Sequence, residues 1–354
     1  MPISHRILVV RNDKLGDFML AWPALKALRK ASPDNHIAVL VPDYTAPMAR
    51  LCPWVDEVVI DPGEGQSKEL HNLLLKGHYD ALLTLFSTPR VGLAARRARI
   101  PLRLAPATKW AQIFYNIRVK QRRSRSEKPE YIYNIELAEA LAHHLNQHPP
   151  RVKPPYWPLP QEQRNHQRQR LEHELELPPL PASSGEHSPQ RRLWILHPGS
   201  GGSAVNLSAT RYRELVARIE KRLATPVSWL ISWGPGEQDT AREMTQALIE
   251  AGSDARLMPP RQGLDDFAHT IAAADGMIAG STGPLHIAGC LDIATVGFYP
   301  AKRSATALRW QTCNDEHRRL AFSPPFSTDK QAATNMELID LAAAAPAIAR
   351  LIEA

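Results

Sequence analysis

Short apolar runs alternate with helical stretches along the first half of the chain. Residues 7–10 are four consecutive apolar residues, which is typical of a strand buried on both faces of a parallel sheet. Strands are also predicted at 36–41, 57–60 and 81–85, and a helix at 131–145. Strands that alternate with helices indicate an α/β fold with a doubly wound parallel sheet.

A second α/β half follows a proline-rich segment. Six of the twelve residues at 149–160 are proline, which is typical of an interdomain linker. The polar stretch 161–177 predicts an exposed helix, and 178–190 predicts a loop. Further strands are predicted at 193–196, 227–232, 277–279 and 295–298. We therefore predict one domain over 1–155, a second over 156–333, and a helical segment over 334–354.

The tail contains two local signals. Thr334 with Glu337 three residues later forms a capping-box pattern, which predicts a helix starting there. Pro346 is expected to kink or split that helix, because proline cannot donate the backbone hydrogen bond.

Composition narrows the class of protein. A chain of 354 residues with 44% hydrophobic residues is expected to form two folded domains. Cys52, Cys290 and Cys313 are scattered, which excludes a disulfide framework or a cysteine metal cluster and fits a reducing compartment. The sequence shows neither a signal-peptide pattern nor an apolar run near the ~20 residues that span a bilayer. We expect a cytoplasmic protein, soluble or peripheral on a membrane.

Positive charge is concentrated in one region. Residues 90–128 carry twelve Lys or Arg and one acid, for a charge of +11, so the remainder of this +7 chain is at −4. Aromatic residues Trp110, Phe114 and Tyr115 are interleaved. Three interpretations remain open: a solvated loop, a nucleic-acid surface, or a surface for an anionic acceptor at a membrane.

The loop after the first strand places a carboxylate where ligands bind. Ligands of doubly wound sheets lie at the carboxyl ends of strands, and Asp17 follows the loop 11–16 there. The loop lacks the G-x-G-x-x-G pattern, so it is not a dinucleotide fingerprint. Asp17 is therefore a candidate catalytic residue, although stabilisation of a helix N-terminus would explain it as well.

A second candidate site lies at 277–289. An apolar strand leads into Ser281 and Thr282, which suit a helix cap, and Pro284 suits the first helical turn. Free backbone N–H groups at such a helix start can bind a phosphate or diphosphate. The alternative is an ordinary capped helix with a surface histidine, His286.

Four segments together resemble glycosyltransferase family nine, the ADP-heptose:lipopolysaccharide heptosyltransferases. Residues 11–17 resemble its "R-x-x-x-L-G-D" motif, and 281–288 its "[D/S]-T-G-x-x-H-x-A" loop. Residues 194–202 resemble its "H-P-G" turn, and 229–237 its "G-x-x-E" element. The resemblance covers nearly the whole chain. It implies the GT-B architecture, with two Rossmann-like domains and a C-terminal helix that packs back on the first.

The resemblance also implies an inverting transfer of heptose from a nucleotide sugar, ADP-heptose, without a metal or other cofactor. Asp17 would be the general base. The implied donor-binding residues are Gly199, Ser200, Glu237, Ser281, Thr282, Gly283, Pro284 and His286. Glu237 would bind the ribose, and His286 either a phosphate or a loop carbonyl.

An anionic lipopolysaccharide core is the implied acceptor, at the inner face of the inner membrane. Arginine forks bind its carboxylates and phosphates well. The candidate acceptor-binding residues are Arg11, Lys14, Arg96, Arg118, Lys120, Arg122 and Arg123. No nucleic-acid partner is expected, because no nucleic-acid-binding module is recognisable.

One position departs from the family pattern. Val205 stands where the family often has a phosphate-binding lysine, and Lys14 or Arg11 is a hypothetical replacement. Alternatives therefore stay open: another nucleotide sugar or acceptor, a nucleotide-sugar-binding protein without catalysis, or a nucleotide-sugar epimerase.

Overall fold

The computed structural model describes residues 4–108, 110–177, 191–202 and 205–354. The chain divides into two compact units between Trp157 and Pro158, close to the predicted boundary at 155. Each unit contains a parallel sheet of six strands with helices.

The first unit alternates strands and helices, as the sequence predicts. Its strands are β1 (Arg6–Val10), β2 (His36–Val41), β3 (Glu57–Ile60), β4 (Ala81–Thr84), β5 (Leu102–Pro106) and β6 (Ile117–Val119). Its α-helices are α1 (Leu15–Met19), α2 (Trp22–Ala31), α3 (Ala46–Leu51), α4 (Ser67–Lys76), α5 (Pro89–Arg97) and α6 (Glu130–His144). Short 3₁₀ helices cover Asp43–Thr45, Trp110–Phe114 and Arg123–Arg125.

The second unit repeats this arrangement. Its strands are β7 (Arg192–His197), β8 (Val227–Ile231), β9 (Ala255–Leu257), β10 (Gly276–Gly280), β11 (Ala294–Phe298) and β12 (Arg319–Phe322). Its α-helices are α7 (Gln161–Glu174), α8 (Ala209–Glu220), α9 (Gln238–Glu250), α10 (Leu264–Ala272), α11 (Gly283–Leu291), α12 (Ala307–Trp310) and α13 (Leu341–Glu353). Short 3₁₀ helices cover Glu316–Arg318, Ala332–Thr334 and Met336–Leu338.

The two sheets have the same strand order. It is β3-β2-β1-β4-β5-β6 in the first unit and β12-β11-β10-β7-β8-β9 in the second. In this order the winding direction reverses between β1 and β4 and between β7 and β10. Ligands of open α/β sheets bind outside the carboxyl ends of the strands at such a reversal. The topology therefore gives each unit one preferred edge for a site.

The strands are apolar because both faces of each sheet are covered. All of β4, β8 and β10 is buried, and β1 is buried from its second residue onwards. In the second unit the core includes Trp194 and Trp229, neither more than 1% exposed. The hydrophobic effect of these interiors holds the strand ends, and the loops on them, in fixed positions.

The C-terminal tail departs from three expectations. The resemblance places its helix on the first domain, whereas the buried side chains of this helix, among them Ile348 and Ile352, belong to the core of the second unit. The helix begins at Leu341, where Asp340 accepts hydrogen bonds from the N–H groups of two following alanines, and not at the Thr334 capping box. It also runs through Pro346 without a break. The carbonyl that Pro346 leaves unbonded lies on the exposed Ala342, where water can satisfy it.

The basic region is folded rather than a solvated loop. It contributes strands β5 and β6, which pair in parallel with each other, and the 3₁₀ helix Trp110–Phe114. Pairing against β4 offsets the weak apolar pattern of these short strands, which explains why the sequence did not predict them.

Candidate active site

Arg11 is the centre of the site in the first unit. It follows β1, and its backbone N–H donates to the Leu40 carbonyl, 3.2 Å away, at the carboxyl edge of the sheet. Its side chain is 2% exposed and contacts three carboxylates. Nε donates to Asp13 at 2.8 Å, Nη1 to Glu130 at 3.2 Å, and Nη2 to Asp17. Burial alone would lower the pKa of Arg11, but these carboxylates raise it above its ordinary value.

Glu130 connects Arg11 to a second buried arginine. It begins α6 and is 1% exposed. Its Oε1 accepts from both Arg11 and Arg123, the latter at 2.7 Å. Arg123 also donates to the Leu85 carbonyl at 3.0 Å and to Gln121 Oε1 at 2.9 Å. Asp17, Arg11, Glu130 and Arg123 thus form a continuous chain of alternating charges.

Of these four charged side chains, Asp17 lies on α1, and its side chain is 13% exposed. Burial raises its pKa to about 6, the charge of Arg11 opposes that rise, and Asp13 and Glu130 add to it. A carboxylate with this pKa is mostly ionised at neutral pH and accepts a proton readily, as a general base must.

The structure corrects two of the predicted acceptor contacts. Arg11 and Arg123 are buried and held by carboxylates of the same unit, so they are not free cations for a ligand. Arg11 is therefore also unsuitable as a replacement for the missing lysine. The remaining predicted contacts lie at the surface: Lys14, Arg96, Arg118, Lys120 and Arg122 are exposed. Lys109, another cation of the basic region 90–128, lies outside the described residues.

In the second unit, Glu237 fastens the loop that follows β7. Its Oε1 accepts from the backbone N–H of Ser200 and of Gly201, each at 2.8 Å. Its Oε2 accepts from the N–H of Gly234 at 3.0 Å. A Cβ at Gly199 would lie 1.8 Å from Oε2, so only glycine fits there. Burial opposes ionisation, but the three backbone donors keep the pKa of Glu237 below its ordinary value.

Asn206 holds the same loop from the other side. Its Nδ2 donates to the carbonyls of His197 and Pro198, at 3.1 and 2.9 Å. The buried Tyr212 donates to its Oδ1 at 2.7 Å. Glu237 and Asn206 therefore hold residues 197–201 of this loop by hydrogen bonds. Sequence reasoning did not identify Asn206, and its position beside the departure from the family pattern was the available signal.

The N-terminus of α11 presents two buried polar atoms without partners. Thr282 precedes the helix, yet its Oγ1 makes no capping hydrogen bond. Nδ1 of His286 also lacks a partner. The two residues are 4% and 3% exposed. Burial lowers the pKa of His286 to about 4, so its ring is neutral at neutral pH.

Buried polar groups are nearly always hydrogen-bonded, and an unsatisfied one calls for an explanation. Here Thr282 and His286 accompany the free N–H groups of a helix start, where anions bind. The register pairs Ala279 of β10 with His197 of β7, so this helix start and the fastened loop share the reversal point of the sheet. Ser281, Gly283 and Pro284 lie at the same turn, as predicted.

The lysine position is occupied by a partly buried aliphatic side chain. Val205 packs against the core of the second unit. Its carbonyl lies against β10, where a Cβ at Gly280 would be 2.9 Å from it. No cation is therefore supplied from this position.

The family is settled by a direct match. A model of Glycosyltransferase family 9 (heptosyltransferase) matches residues 68–323, which is most of the chain. The chain belongs to glycosyltransferase family 9. Its two Rossmann-like halves are those of the GT-B class, and membership makes the protein a glycosyltransferase.

Relatives agree with this assignment. A provisionally named glycosyltransferase of Haemophilus influenzae is 39% identical over 342 residues, covering 95% of this chain and 94% of that protein. The E. coli ADP-heptose lipopolysaccharide heptosyltransferase II has a similar fold, with a TM-score of 0.70 at 18% identity and 98% of each chain covered. An E. coli heptosyltransferase, WaaC, solved with ADP has a TM-score of 0.69 at 17% identity, covering 98% of this chain and 99% of that one.

Proposed function

We propose that this glycosyltransferase transfers a heptose from ADP-heptose to a lipopolysaccharide inner-core acceptor, with inversion at the anomeric carbon. The single observation that carries the donor half is the pair of unpartnered buried atoms, Thr282 Oγ1 and His286 Nδ1, at the N-terminus of α11. The similar fold solved with ADP supports a nucleoside diphosphate as their ligand.

In donor binding, the N-terminus of α11 and the loop after β7 have different tasks. The diphosphate accepts hydrogen bonds from the first N–H groups of α11, from Thr282 and from His286. Charge develops on the leaving diphosphate as its bond to the sugar breaks, and these fixed donors stabilise that charge. Glu237 keeps the glycine loop at 199–201 close to the nucleotide, and its remaining lone pairs accept from the ribose hydroxyls.

The acceptor half rests on Asp17. The acceptor hydroxyl attacks the anomeric carbon, and its proton moves to the Asp17 carboxylate as the new bond forms. The bond from that carbon to the diphosphate oxygen breaks, and the nucleoside diphosphate leaves with the electron pair. Arg11 orients the carboxylate, and Glu130 with Arg123 hold Arg11 in place. The exposed Lys14, Arg96, Arg118, Lys120 and Arg122 contact the anionic acceptor.

The acceptor is a lipid, so we propose that the enzyme works at the cytoplasmic face of the inner membrane as a peripheral protein. Among the helices of the described ranges, none is long and apolar enough to cross a bilayer. Clustered Lys and Arg gain about 1 kcal/mol each near an anionic lipid surface.

Val205 is the one observation that favours a second candidate. Without the lysine charge, a different nucleotide sugar or acceptor would suit the same site. Thermal unfolding with a panel of nucleotides and nucleotide sugars separates the two: a ligand at 100 times its Kd adds ~2.7 kcal/mol of stability. ADP-heptose is expected to stabilise most and to be consumed with a core acceptor. If only another nucleotide sugar stabilises the protein and is turned over, that nucleotide sugar is the donor in place of ADP-heptose.

A further inference from the structure

Two large apolar side chains project from the first unit beside the basic region. In the 3₁₀ helix Trp110–Phe114, Trp110 is 65% exposed and Ile113 is 56% exposed. Residues three apart eclipse each other in a 3₁₀ helix, so the two side chains lie on one side of it. We call this helix, with its two exposed side chains, the apolar wedge.

The wedge is firmly attached to the unit. Between its exposed residues, Ala111 is buried, and Tyr115 directly after the helix is 1% exposed. On α5, a Cβ at Gly92 would be 2.9 Å from both Phe114 Cβ and the Tyr115 ring, so the wedge lies directly against that helix. Such an anchored element keeps its side chains exposed rather than folding them inward.

Three arginines surround the wedge. Arg103 Nε donates to the Phe114 carbonyl at 3.1 Å, and Arg118 Nε donates to the Tyr115 carbonyl at 3.1 Å. Arg96 lies one turn after Gly92 on α5. Burial lowers the pKa of Arg103, and Arg96 is close enough to Arg103 that its charge lowers this pKa further. In the part of the chain that the structure describes, none of the three has a carboxylate within 4 Å. The three arginines therefore add positive charge beside the wedge.

We propose that the apolar wedge and its three arginines dock the enzyme on an anionic lipid bilayer, with Trp110 and Ile113 entering the interface. Tryptophan suits the boundary between headgroups and chains, and arginines beside it face lipid phosphates. The branched aliphatic Ile113 cannot stack on a base, which favours lipid over single-stranded nucleic acid. The inference deepens the proposed function, on which the choice of a lipid surface rests.

Sedimentation with vesicles tests the docking. The probes are vesicles of phosphatidylglycerol and phosphatidylcholine in equal parts, and vesicles of phosphatidylcholine alone. The wild type is expected to bind the anionic vesicles, and Trp110→Ser/Ile113→Ser to bind them at least about tenfold more weakly. Arg96→Gln is expected to weaken binding at low salt and to lose its effect at high salt. Phe326→Ser is the matched control, because Phe326 is an 87% exposed apolar residue of the second unit.

Tryptophan fluorescence shows whether Trp110 enters the bilayer. Trp110 is an exposed tryptophan, whereas Trp22, Trp157, Trp194 and Trp229 are buried. Brominated lipids are expected to quench the wild type, and Trp110→Phe is expected to keep vesicle binding while losing most of that quenching. Equal binding by the double variant and the wild type would overturn the proposal. So would displacement from vesicles by an oligonucleotide together with absence of quenching.

Vesicle binding can be tested independently of heptose transfer. Stabilisation by ADP and transfer to a water-soluble, delipidated acceptor do not involve the wedge. Loss of vesicle binding in the double variant with these two activities intact supports the docking role. Vesicle binding by the wedge without transfer of any heptose would leave the docking role standing and refute the proposed function alone.

Discussion

Glu130→Gln is predicted to lower the pH at which activity falls by half. Glu130 shares Arg11 with Asp17, and its charge is one of the causes that raise the pKa of Asp17 to about 6. The amide keeps an oxygen for Arg11 and Arg123 but removes the charge. Asp17 then loses a repulsive neighbour, so its pKa falls and it stays ionised to lower pH.

The size of this shift follows from the shared guanidinium. Carboxylates on two different nitrogens of one guanidinium are on the order of 6–7 Å apart. At an effective dielectric constant of about 20, their repulsion is roughly 2.5 kcal/mol, a ceiling just under ~2 pH units. Arg11 between them and water at Asp17 reduce that, so we expect a fall of about one unit.

The assay is kcat against pH with saturating donor and acceptor. The other groups that face Asp17 are Asp13 and the phenol of Tyr44, which donates to the Asp13 carbonyl at 2.7 Å. Neither changes in this variant. Arg123→Gln is a second variant with the opposite expected effect. Without Arg123, Glu130 competes more strongly with Asp17 for Arg11, so the pKa of Asp17 rises and the acid limb of kcat moves to higher pH.

Glu127→Gln is the matched control. Glu127 lies three residues before Glu130, but it is 52% exposed and pairs only at 3.6 Å with Arg125. The acid limb of the kcat profile of Glu127→Gln is expected to match that of the wild type. Thermal unfolding of each variant separates folding from catalysis, because breaking a buried ion pair costs about 3–5 kcal/mol. An unchanged acid limb in folded Glu130→Gln, or movement in the same direction as Arg123→Gln, would refute the reasoning.

Four further predictions concern single residues. Asp17→Asn is expected to reduce kcat by roughly two to four orders of magnitude in a steady-state assay while ADP binding stays unchanged, and near-normal turnover would exclude it as the base. Thr282→Val is expected to leave unfolding stability unchanged or higher by ~1 kcal/mol, because it removes an unpaired buried hydroxyl, yet to weaken ADP by about tenfold in calorimetry; equal ADP affinity would remove Thr282 from the donor site. Gly199→Ala is expected to displace the Glu237 carboxylate and cost about 1–3 kcal/mol in thermal unfolding, with weaker ADP binding, and a neutral result would show that the loop is not fixed. Val205→Lys is expected to tighten ADP binding, with Val205→Met as the uncharged control of similar length, and equal affinities would show that the lysine position does not face the phosphates.

The sequence predicted most of the central strands and the edge strand β3, and it missed β5 and the edge strands β6, β9 and β12. Strands β1, β2, β10 and β11 are apolar runs buried on both faces, so their pattern alone indicates them. Strand β6, by contrast, alternates around an exposed arginine and exists because β5 pairs with it. Such strands depend on neighbours distant in sequence, which a local pattern does not contain.

Sequence motifs indicated candidate site residues but not the buried side chains that hold them in place. Asp17 and Thr282 belong to recognisable motifs, whereas the buried ion pairs around Asp17 were not apparent. Glu130 lies 119 positions from Arg11, and only the folded chain brings them together. Arg123 shows the same limit, because a dense basic run suggests solvent exposure until the structure places its guanidinium on a buried carboxylate.

The anomeric configuration of the product tests the central claim most directly. Incubation with ADP-heptose and a water-soluble core acceptor, followed by proton NMR of the new glycosidic linkage, measures it in one experiment. A single displacement with Asp17 as base predicts a heptoside of the configuration opposite to that of the donor. A heptoside with the donor's own configuration, or release of free heptose without transfer, would contradict the account.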